Sequence, residues 1–153
     1  MKFIARRLLI SASEDIGNAN PNAFLLATSC FQAVTMIGYP EARIILSQCT
    51  TYLASSAKSN ASYMAINNAL SVVNKTGDLP VPMNIRNAPT KMMKEMGYNK
   101  GYEYSHDYEG NFSPQEYLPE QIRGMKLYDP GKNPREDELR KHLRSLWKEK
   151  YGY

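Results

Sequence analysis

The amino-acid sequence predicts an all-α fold, in which a helical bundle is followed by an irregular, tyrosine-rich extension and a final docked helix. Three observations predict it: apolar residues recur at helical spacing, proline and glycine punctuate the chain, and charge is uneven along it. Only Glu41, Arg43 and Lys58 are charged between Ile16 and Asn74, whereas residues 75–153 carry 26 of the 34 charged side chains. A chain of 153 residues suits one domain. We place the bundle at about residues 1–97 and the extension with the last helix at about 98–153.

Composition and charge exclude several classes of protein. The net charge of +4 is spread along the chain, so no segment is a basic arm or an acidic tail. The uncharged stretch 16–40 contains asparagine, threonine and glutamine, and is too polar to span a membrane. Only three apolar residues follow Arg7 before Ser11, too few for a signal peptide. We therefore expect a cytoplasmic protein with no membrane partner, in which Cys30 and Cys49 are buried free thiols.

The first two helices have recognisable ends. Apolar residues at helical spacing predict a first helix that Gly17 terminates: Ala5, Leu8, Leu9, Ala12 and Ile16. Asn20 is a predicted N-cap with Pro21 at the first helical position, and this second helix runs to about Ile37 before Gly38. The second helix is apolar on nearly all sides. It must therefore be covered all round, either at the centre of its own domain or partly by another subunit.

Two further helices complete the predicted bundle. Pro40 opens the third, which carries four apolar or aromatic residues on one side: Ile45, Cys49, Tyr52 and Leu53. Ser59 or Asn60 caps the fourth, which ends near Asn74 with Gly77 just beyond. The connections between these helices are only a few residues long, which favours antiparallel neighbours in a bundle.

The second half contains two helices and much irregular chain. Pro89 and Thr90 begin a short helix over Lys91–Met96, which Gly97 closes. Eight of the 11 tyrosines follow Gly97, and short strands are expected around residues 102–105 and 125–128. Asn133 caps the last helix, and acidic residues fill its first turn, as the helix dipole favours. Its apolar stripe predicts that it docks on another element: Leu139, Leu143, Leu146 and Trp147.

Glu14 and Asp15 place two negative charges at the C-terminal end of the first helix. The helix dipole disfavours charge of that sign there by about 0.3–1 kcal/mol. Two interpretations remain open: the pair is solvated, or a basic residue such as Arg86 neutralises it. Neither interpretation implies catalysis.

A basic and aromatic zone is the remaining candidate for binding. Its residues are Arg86, Asn87, Lys91, Lys94, Tyr98 and Lys100. Aromatic rings stack on bases while basic side chains contact phosphates, so this composition is compatible with single-stranded DNA. Glu95, Glu103 and nearby acids dilute the positive field, however, and the same segment is compatible with an interface between proteins.

The sequence contains no pattern typical of a catalytic, cofactor-binding or metal-binding site. A phosphate-binding loop requires Gly-x-x-x-x-Gly-Lys followed by Ser or Thr, and the only Gly-Lys pair, Gly131–Lys132, precedes Asn133. His106 and His142 are the only histidines and show no ligand spacing. We therefore expect this chain by itself not to be an enzyme.

Several segments of the sequence resemble one family. They are Ser13-Glu14-Asp15-Ile16-Gly17, Asn20-Pro21-Asn22-Ala23, Ala57-Lys58-Ser59-Asn60-Ala61, Leu79-Pro80-Val81-Pro82, the stretch from Ile85 through Tyr98, and Tyr104-Ser105-His106-Asp107. In this order they resemble the C-terminal region of the RarA/MgsA family of AAA+ ATPases, bacterial relatives of the Werner helicase-interacting protein. Glu14, Asp15, Lys58 and Asn60 are then structural motif residues. The resemblance covers about residues 5–128, and the last helix is less diagnostic.

The resemblance implies a fold, a function and partners. The fold would be similar to the collar of a clamp loader, and the chain would be a C-terminal oligomerisation domain without its N-terminal AAA+ module. ATP and Mg would bind in that module, which would be a DNA-dependent ATPase, and no cofactor is expected in this chain. The implied partners are further copies of the chain, expected to form a tetramer, DNA at stalled replication forks, and single-stranded-DNA-binding protein. The implied location is the cytoplasm, at the nucleoid.

Overall fold

The computed structural model describes residues 1–153, which form helices and loops without a β-strand. The α-helices are α1 (Lys2–Ser11), α2 (Asn22–Ile37), α3 (Ala42–Ala54), α4 (Ala61–Thr76), α5 (Lys91–Glu95) and α6 (Pro134–Trp147). Short 3-10 turns occupy Gly17–Ala19, Met83–Ile85, Ser105–Asp107, Glu109–Asn111 and Glu120–Ile122. The predicted all-α class is confirmed. No helix combines the length and apolarity needed to cross a bilayer.

Most helix ends follow the predicted signals. A π-helical turn, Ala12–Ile16, prolongs α1 and stops at Gly17, which has a φ of 49°. A side chain at Gly17 would also place its Cβ 2.8 Å from the Ser59 carbonyl oxygen. Thr90 caps α5 by accepting a hydrogen bond from the Met93 amide at 3.2 Å, because its extended backbone aims the hydroxyl at the first turn.

The predicted N-cap at Asn20 is wrong as a side-chain cap. The backbone carbonyl of Asn20 accepts from the Ala23 amide, but its side chain does not contact the helix terminus. Its amide group donates instead to the Tyr52 hydroxyl at 3.1 Å and to the Ser56 hydroxyl at 3.0 Å. A side chain with one partner on α3 and one in the turn that follows it therefore fixes the start of α2 against the end of α3.

The predicted strands are also wrong. At Glu103 the backbone groups form hydrogen bonds to a side chain. The side-chain amide of Gln115 accepts from the Glu103 backbone N–H at 3.4 Å and donates to the Glu103 carbonyl at 2.7 Å. A ladder of neighbouring strands is not needed when one side-chain amide satisfies both groups. Around residue 125, Gly124 has a φ of 73° and lies in the turn that follows the 3-10 turn Glu120–Ile122, and no strand begins there.

The chain divides into two compact units. The first comprises residues 1–69 and 127–141, and the second residues 70–126 and 142–153. In the first unit α1, α2 and α3 pack around a core of small and medium side chains: Ala5, Ala12, Ile16, Ala23, Ala27, Cys30, Val34, Ala42, Cys49 and Leu53. The many alanines allow close approach of the three helices, so the core contains few large side chains. On α3 the predicted inner side is confirmed, because Cys49 and Leu53 are buried there.

The second unit is mostly loop, and polar contacts hold it together. The Lys150 ammonium donates to the carbonyls of Pro114 and Gln115 and lies 4.8 Å from the centre of the Trp147 ring. Trp147 in turn packs edge-on against Phe112, with their ring centres 4.8 Å apart. The apolar stripe of the last helix thus docks through its tryptophan, as predicted.

Candidate interaction surfaces

Arg86 begins the predicted binding segment, and its guanidinium group already bonds to residues of its own unit. The Nε atom donates to the Val81 carbonyl at 2.6 Å, and Nη1 donates to the Tyr98 hydroxyl at 3.4 Å. The guanidinium carbon lies 5.2 Å from the centre of the Tyr98 ring, within cation–π range. Arg86 and Tyr98 therefore hold the two ends of the segment together.

The other residues of the predicted segment face solvent. Asn87, Lys94 and Lys100 are exposed. Lys91 is exposed too and lies 3.9 Å from the Glu95 carboxylate one turn later on α5. An exposed pair of this kind stabilises a helix by only about 0.3–0.5 kcal/mol, so Lys91 remains available to a partner.

A groove of about 730 Å³ brings Arg86 and Lys100 together. Its walls combine the proline-rich connector with the loop around residue 118: Pro80, Val81, Pro82, Met83, Leu118 and Pro119. Arg123 adds a third positive charge, but Glu103, Glu116 and Glu120 line the same groove. Lys91 and Lys94 are not among the lining residues. The groove thus carries charges of both signs and does not concentrate the basic residues of the segment.

Glu116 shows why the groove is not simply basic. Its carboxylate lies 3.4 Å from the Lys150 ammonium and 3.9 Å from the Arg123 guanidinium. Burial would raise the pKa of Glu116, but the Leu118 amide, Lys150 and the Tyr117 amide together hold that pKa below its ordinary value. The carboxylate is therefore ionised at neutral pH, and it offsets part of the positive charge of Arg123 and Lys150.

Of the structural motif residues, Asp15 contacts the start of α4 through its backbone. The Ser59 amide donates to the Asp15 carbonyl at 2.8 Å, which joins the end of α1 to the fourth helix. Ser59 also accepts from the Ala61 amide at 3.2 Å, so the predicted choice between Ser59 and Asn60 is resolved in favour of Ser59 as the cap. Lys58, Asn60 and Glu14 are exposed.

One carboxylate of the acidic pair at the end of α1 is hydrogen-bonded within the same helical segment. The Asp15 carboxylate accepts a hydrogen bond from the Ser11 hydroxyl at 2.6 Å, one turn earlier on the same helix. Glu14 is exposed to solvent. Arg86 donates to groups of its own unit. Both Asp15 and Arg86 therefore have hydrogen-bond partners without the suggested ion pair.

Glu136 is the residue of greatest consequence that the sequence reasoning missed. It is 0% exposed, and hydrogen bonds reach its carboxylate from Tyr128, Asn133, Ser59 and the Gly131 amide. Burial would raise the pKa of Glu136, but these donors hold it below its ordinary value. The signal was present as Asn133 three residues before Glu136, the spacing of a capping box.

Gly131 cannot carry a side chain in this arrangement. A Cβ atom there would lie 2.6 Å from the Glu136 carboxylate and 2.8 Å from the Ser59 hydroxyl. The Gly131–Lys132 pair also does not fit a nucleotide phosphate, because its glycine amide already donates to a carboxylate. Gly131 therefore belongs to the group of donors around the buried Glu136 carboxylate.

Cys30 and Cys49 are both buried between α2 and α3, as predicted. Burial raises the pKa of the Cys49 thiol to about 12, and the neighbouring Cys30 contributes to that rise. A thiol with such a pKa is protonated at neutral pH and is a poor nucleophile. The pair therefore acts as part of the core.

The helices of the bundle expose an unusual amount of apolar surface. On α2 only Ala23, Ala27, Cys30 and Val34 are buried. Leu25 is 64% exposed and Met36 84% exposed, so of the two alternatives for this helix, the one that places it at the centre of its own domain is wrong. Exposed large apolar side chains also occur on α1 and α4: Phe3, Ile4, Ile10, Tyr63, Met64, Ile66, Leu70 and Val73.

The total accessible surface area of the chain is also larger than expected for a compact monomer. The chain exposes 10588 Å², whereas a folded monomer of 17.4 kDa exposes about 7,900 Å². Even two independent bodies of half this mass would together expose only about 9,500 Å². The excess is therefore more than the division into two units explains.

Comparison with known proteins gives the chain a family. A family profile described as "MgsA AAA+ ATPase C terminal" matches residues 1–147. The "Replication-associated recombination protein A" of Escherichia coli is 42% identical over 129 residues, which cover 84% of this chain and 29% of that protein. An uncharacterized protein of Thermotoga maritima is 43% identical over 99% of this chain and 24% of its own length.

A eukaryotic relative matches as well. The "ATPase WRNIP1" of Dictyostelium discoideum is 41% identical over 128 residues, which cover 83% of this chain and 15% of that protein. The chain thus spans less than a third of the length of each of these relatives. The resemblance inferred from the sequence is confirmed: the chain belongs to the family of MgsA-type AAA+ ATPase C-terminal regions.

Proposed function

We propose that this chain is the oligomerisation domain of a replication-associated recombination ATPase that acts on DNA at stalled forks. The observation that carries the proposal is the apolar surface of α1, α2 and α4, together with an exposed area well above that of a monomer of this mass. Surfaces of this kind mark protein–protein contacts. Relatives named as replication-associated recombination proteins support the cellular role.

The proposal assigns a limited role to this chain. It would assemble copies in a collar-like arrangement, with a tetramer as the expected state, because closed symmetric assemblies are the common outcome for soluble oligomers. ATP and Mg would bind to an ATPase module and not to the residues described here. DNA and single-stranded-DNA-binding protein would be partners of the whole ATPase, in the cytoplasm at the nucleoid.

The mass of the chain in solution tests this proposal. We expect light scattering and sedimentation velocity to give a defined oligomer at about 10–50 µM, a range in which interfaces of standard size are occupied. Light scattering reports mass independently of shape, so the division of the chain into two units does not affect the measured mass. A 17.4 kDa particle over the whole concentration range would contradict the proposal.

A second candidate function is binding of DNA or a partner protein through residues 86–98. The observation that favours it is the exposure of Lys91, Lys94 and Lys100 beside the Arg86–Tyr98 pair. If these three lysines and Arg86 each neutralise one phosphate, the logarithm of affinity for duplex forks should fall with log salt at a slope of about −3 to −4.

The matched control for DNA binding reverses charge elsewhere on the surface. Lys91→Glu with Lys94→Glu should weaken binding at low salt and make the salt slope shallower by about two. Arg135→Glu with Lys141→Glu makes the same change in net charge on exposed residues of α6. Equal losses in the two variants would indicate nonspecific attraction, and no binding of the unaltered chain at low salt would eliminate this candidate.

A further inference from the structure

A cavity of about 260 Å³ lies between α2 and α3, within the first unit. Leu26 and Ala33 of α2 and Ile45 of α3 give it apolar walls. Ser29 and Gln48 also line it and are exposed, so the cavity opens to solvent. No charged side chain lines it. The cavity therefore suits an uncharged ligand.

The two cysteines of the chain complete the lining of this cavity. Cys30 and Cys49 are only 5% and 1% exposed. The Cys30 sulfur lies 3.8 Å from the carbonyl oxygen of Ile45, one turn before Cys49 on α3. Cys30 is also near enough to the Cys49 thiol to contribute to its raised pKa. Two neighbouring thiols from different helices thus line one mainly apolar space.

A pair of thiols in an uncharged cavity does not suit the common protein metals. Zinc is usually held by four protein ligands, and the chain contains no group of three histidine, cysteine or carboxylate side chains that could hold a metal. Metal binding would also require both thiols to lose their protons, which leaves charge among uncharged side chains. The arrangement favours a ligand that takes both sulfurs and gives an uncharged product.

We propose that Cys30 and Cys49 form a dithiol site for monosubstituted trivalent arsenic compounds, R–As(OH)₂, whose organic group R lies in the cavity. Trivalent arsenic is a soft centre, and soft centres select thiol sulfur over oxygen. The space is sufficient for a methyl or phenyl group, since an apolar cavity of about 150 Å³ in another protein holds benzene. This site goes beyond the oligomerisation function and does not depend on it.

Binding at this site needs no oxidant or reductant. The Cys30 and Cys49 sulfurs each form an As–S bond, and both As–O bonds break. Each thiol proton leaves with one hydroxyl group as water. Arsenic stays trivalent, and the product, in which arsenic bridges the two sulfurs, carries no charge. The thiols are protonated before the reaction and uncharged after it, which agrees with their burial.

The fold brings the two thiols together before the ligand arrives. Cys30 and Cys49 are 19 positions apart in the sequence. In an unfolded chain, bridging them costs the entropy of closing that loop. The packing of α2 on α3 has already met this cost in the folded chain, so the second As–S bond forms within one molecule at little entropic cost. We expect the folded chain to bind at least about tenfold more tightly than the unfolded chain.

Phenylarsine oxide, which hydrates to phenylarsonous acid, is the probe for this site. Intact-mass spectrometry of the chain in native buffer should show one adduct per chain. The adduct should survive a large excess of 2-mercaptoethanol, a monothiol, and disappear with 2,3-dimercaptopropanol, a dithiol. In urea unfolding, excess probe should raise the midpoint, because the ligand stabilises the state that binds it more tightly.

The matched control keeps two cysteines but separates them. Cys30→Ala with Gln32→Cys moves one thiol to an exposed position of α2 that does not line the cavity. Its adducts should be lost in excess 2-mercaptoethanol, and the probe should not raise its urea midpoint. Circular dichroism of Cys30→Ala alone shows whether the core tolerates loss of the sulfur.

Three results would overturn the dithiol site: no adduct in native buffer, an adduct of the unaltered chain that excess monothiol removes, or an equally resistant adduct in the control variant. A urea midpoint that stays constant or falls with the probe would do the same, because the folded chain would then bind no better than the unfolded one. That midpoint is measured on the unaltered chain, so it decides the question even where a variant fails to fold. The oligomeric state of the chain does not enter these results, so the site and the oligomerisation function succeed or fail separately.

Discussion

Glu136 joins two separated parts of the chain through one carboxylate. Its donors are Ser59 before α4 and, in the loop before α6, Tyr128, Asn133 and the backbone amide of Gly131. A buried charge is tolerated only where several donors replace its hydration. The cluster therefore fixes the start of α6 to the start of α4, and its strength depends on the carboxylate being ionised.

Substitution of Glu136 by glutamine should destabilise the chain and flatten its acid response. Its folded-state pKa is lowered below the ordinary 4.5, so its stabilising contribution is complete above that value and is lost as the pH falls through the folded-state pKa. We expect Glu136→Gln to lower the free energy of unfolding at pH 7 by about 1–3 kcal/mol. Urea unfolding between pH 7 and pH 3 measures both effects.

The control for this prediction is Glu138→Gln, which removes the same charge from an exposed position of the same helix. That variant should keep the stability and the pH dependence of the unaltered chain. If Glu136→Gln shows an unchanged slope on the acid side, the carboxylate is not the group that couples folding to pH there. Glu116, whose pKa is also lowered, would then account for the slope.

At the scale of helices, local signals were predictable and long-range ones were not. The Thr90 cap and the last helix beginning after Asn133 follow from residues a few positions apart, and both are confirmed. Asn20 bonded to Tyr52 is a contact over 32 residues, which no local pattern reveals. The Gln115 amide likewise replaces a strand partner for Glu103, twelve residues away.

The candidate surfaces also differ in how far the sequence predicts them. The exposed lysines around α5 were predictable, because charge in a short polar segment faces water. The exposed apolar residues of α4 recur at helical spacing in the sequence, but periodicity alone does not distinguish a side that the same chain covers from one left exposed. Only the packing of α1, α2 and α3 without α4 reveals it.

Helix α2 offers a prediction that separates its buried side from its exposed side. Val34 is 3% exposed, and Val34→Glu should destabilise the chain by about 3 kcal/mol or more, because the core has no partner for the charge. Leu25 is 64% exposed, and Leu25→Glu should change stability by no more than about 0.5 kcal/mol. Urea unfolding of the two variants, which carry the same charge, checks both values. Similar losses would mean that Leu25 is covered in the assembled protein.

At the scale of the whole molecule, the chain lacks a large apolar core. The buried apolar residues are mainly alanines, cysteines and single branched side chains, while larger ones such as Leu25, Met36 and Ile66 face outward. A folded chain that leaves this much apolar area in water gains correspondingly less free energy from burial, at about 25 cal/mol per Å². Association would recover that free energy, so folding and assembly should be coupled.

This coupling predicts that the melting temperature depends on concentration. For a dimer or larger assembly that separates on unfolding, a hundredfold rise in concentration adds on the order of 1.4 kcal/mol of stability per chain. For a chain of this size that raises Tm by about 3–6 °C. Thermal unfolding followed by circular dichroism from 1 to 100 µM, a range within easy reach of the method, measures it. A constant Tm in the unaltered chain would mean that it folds without association.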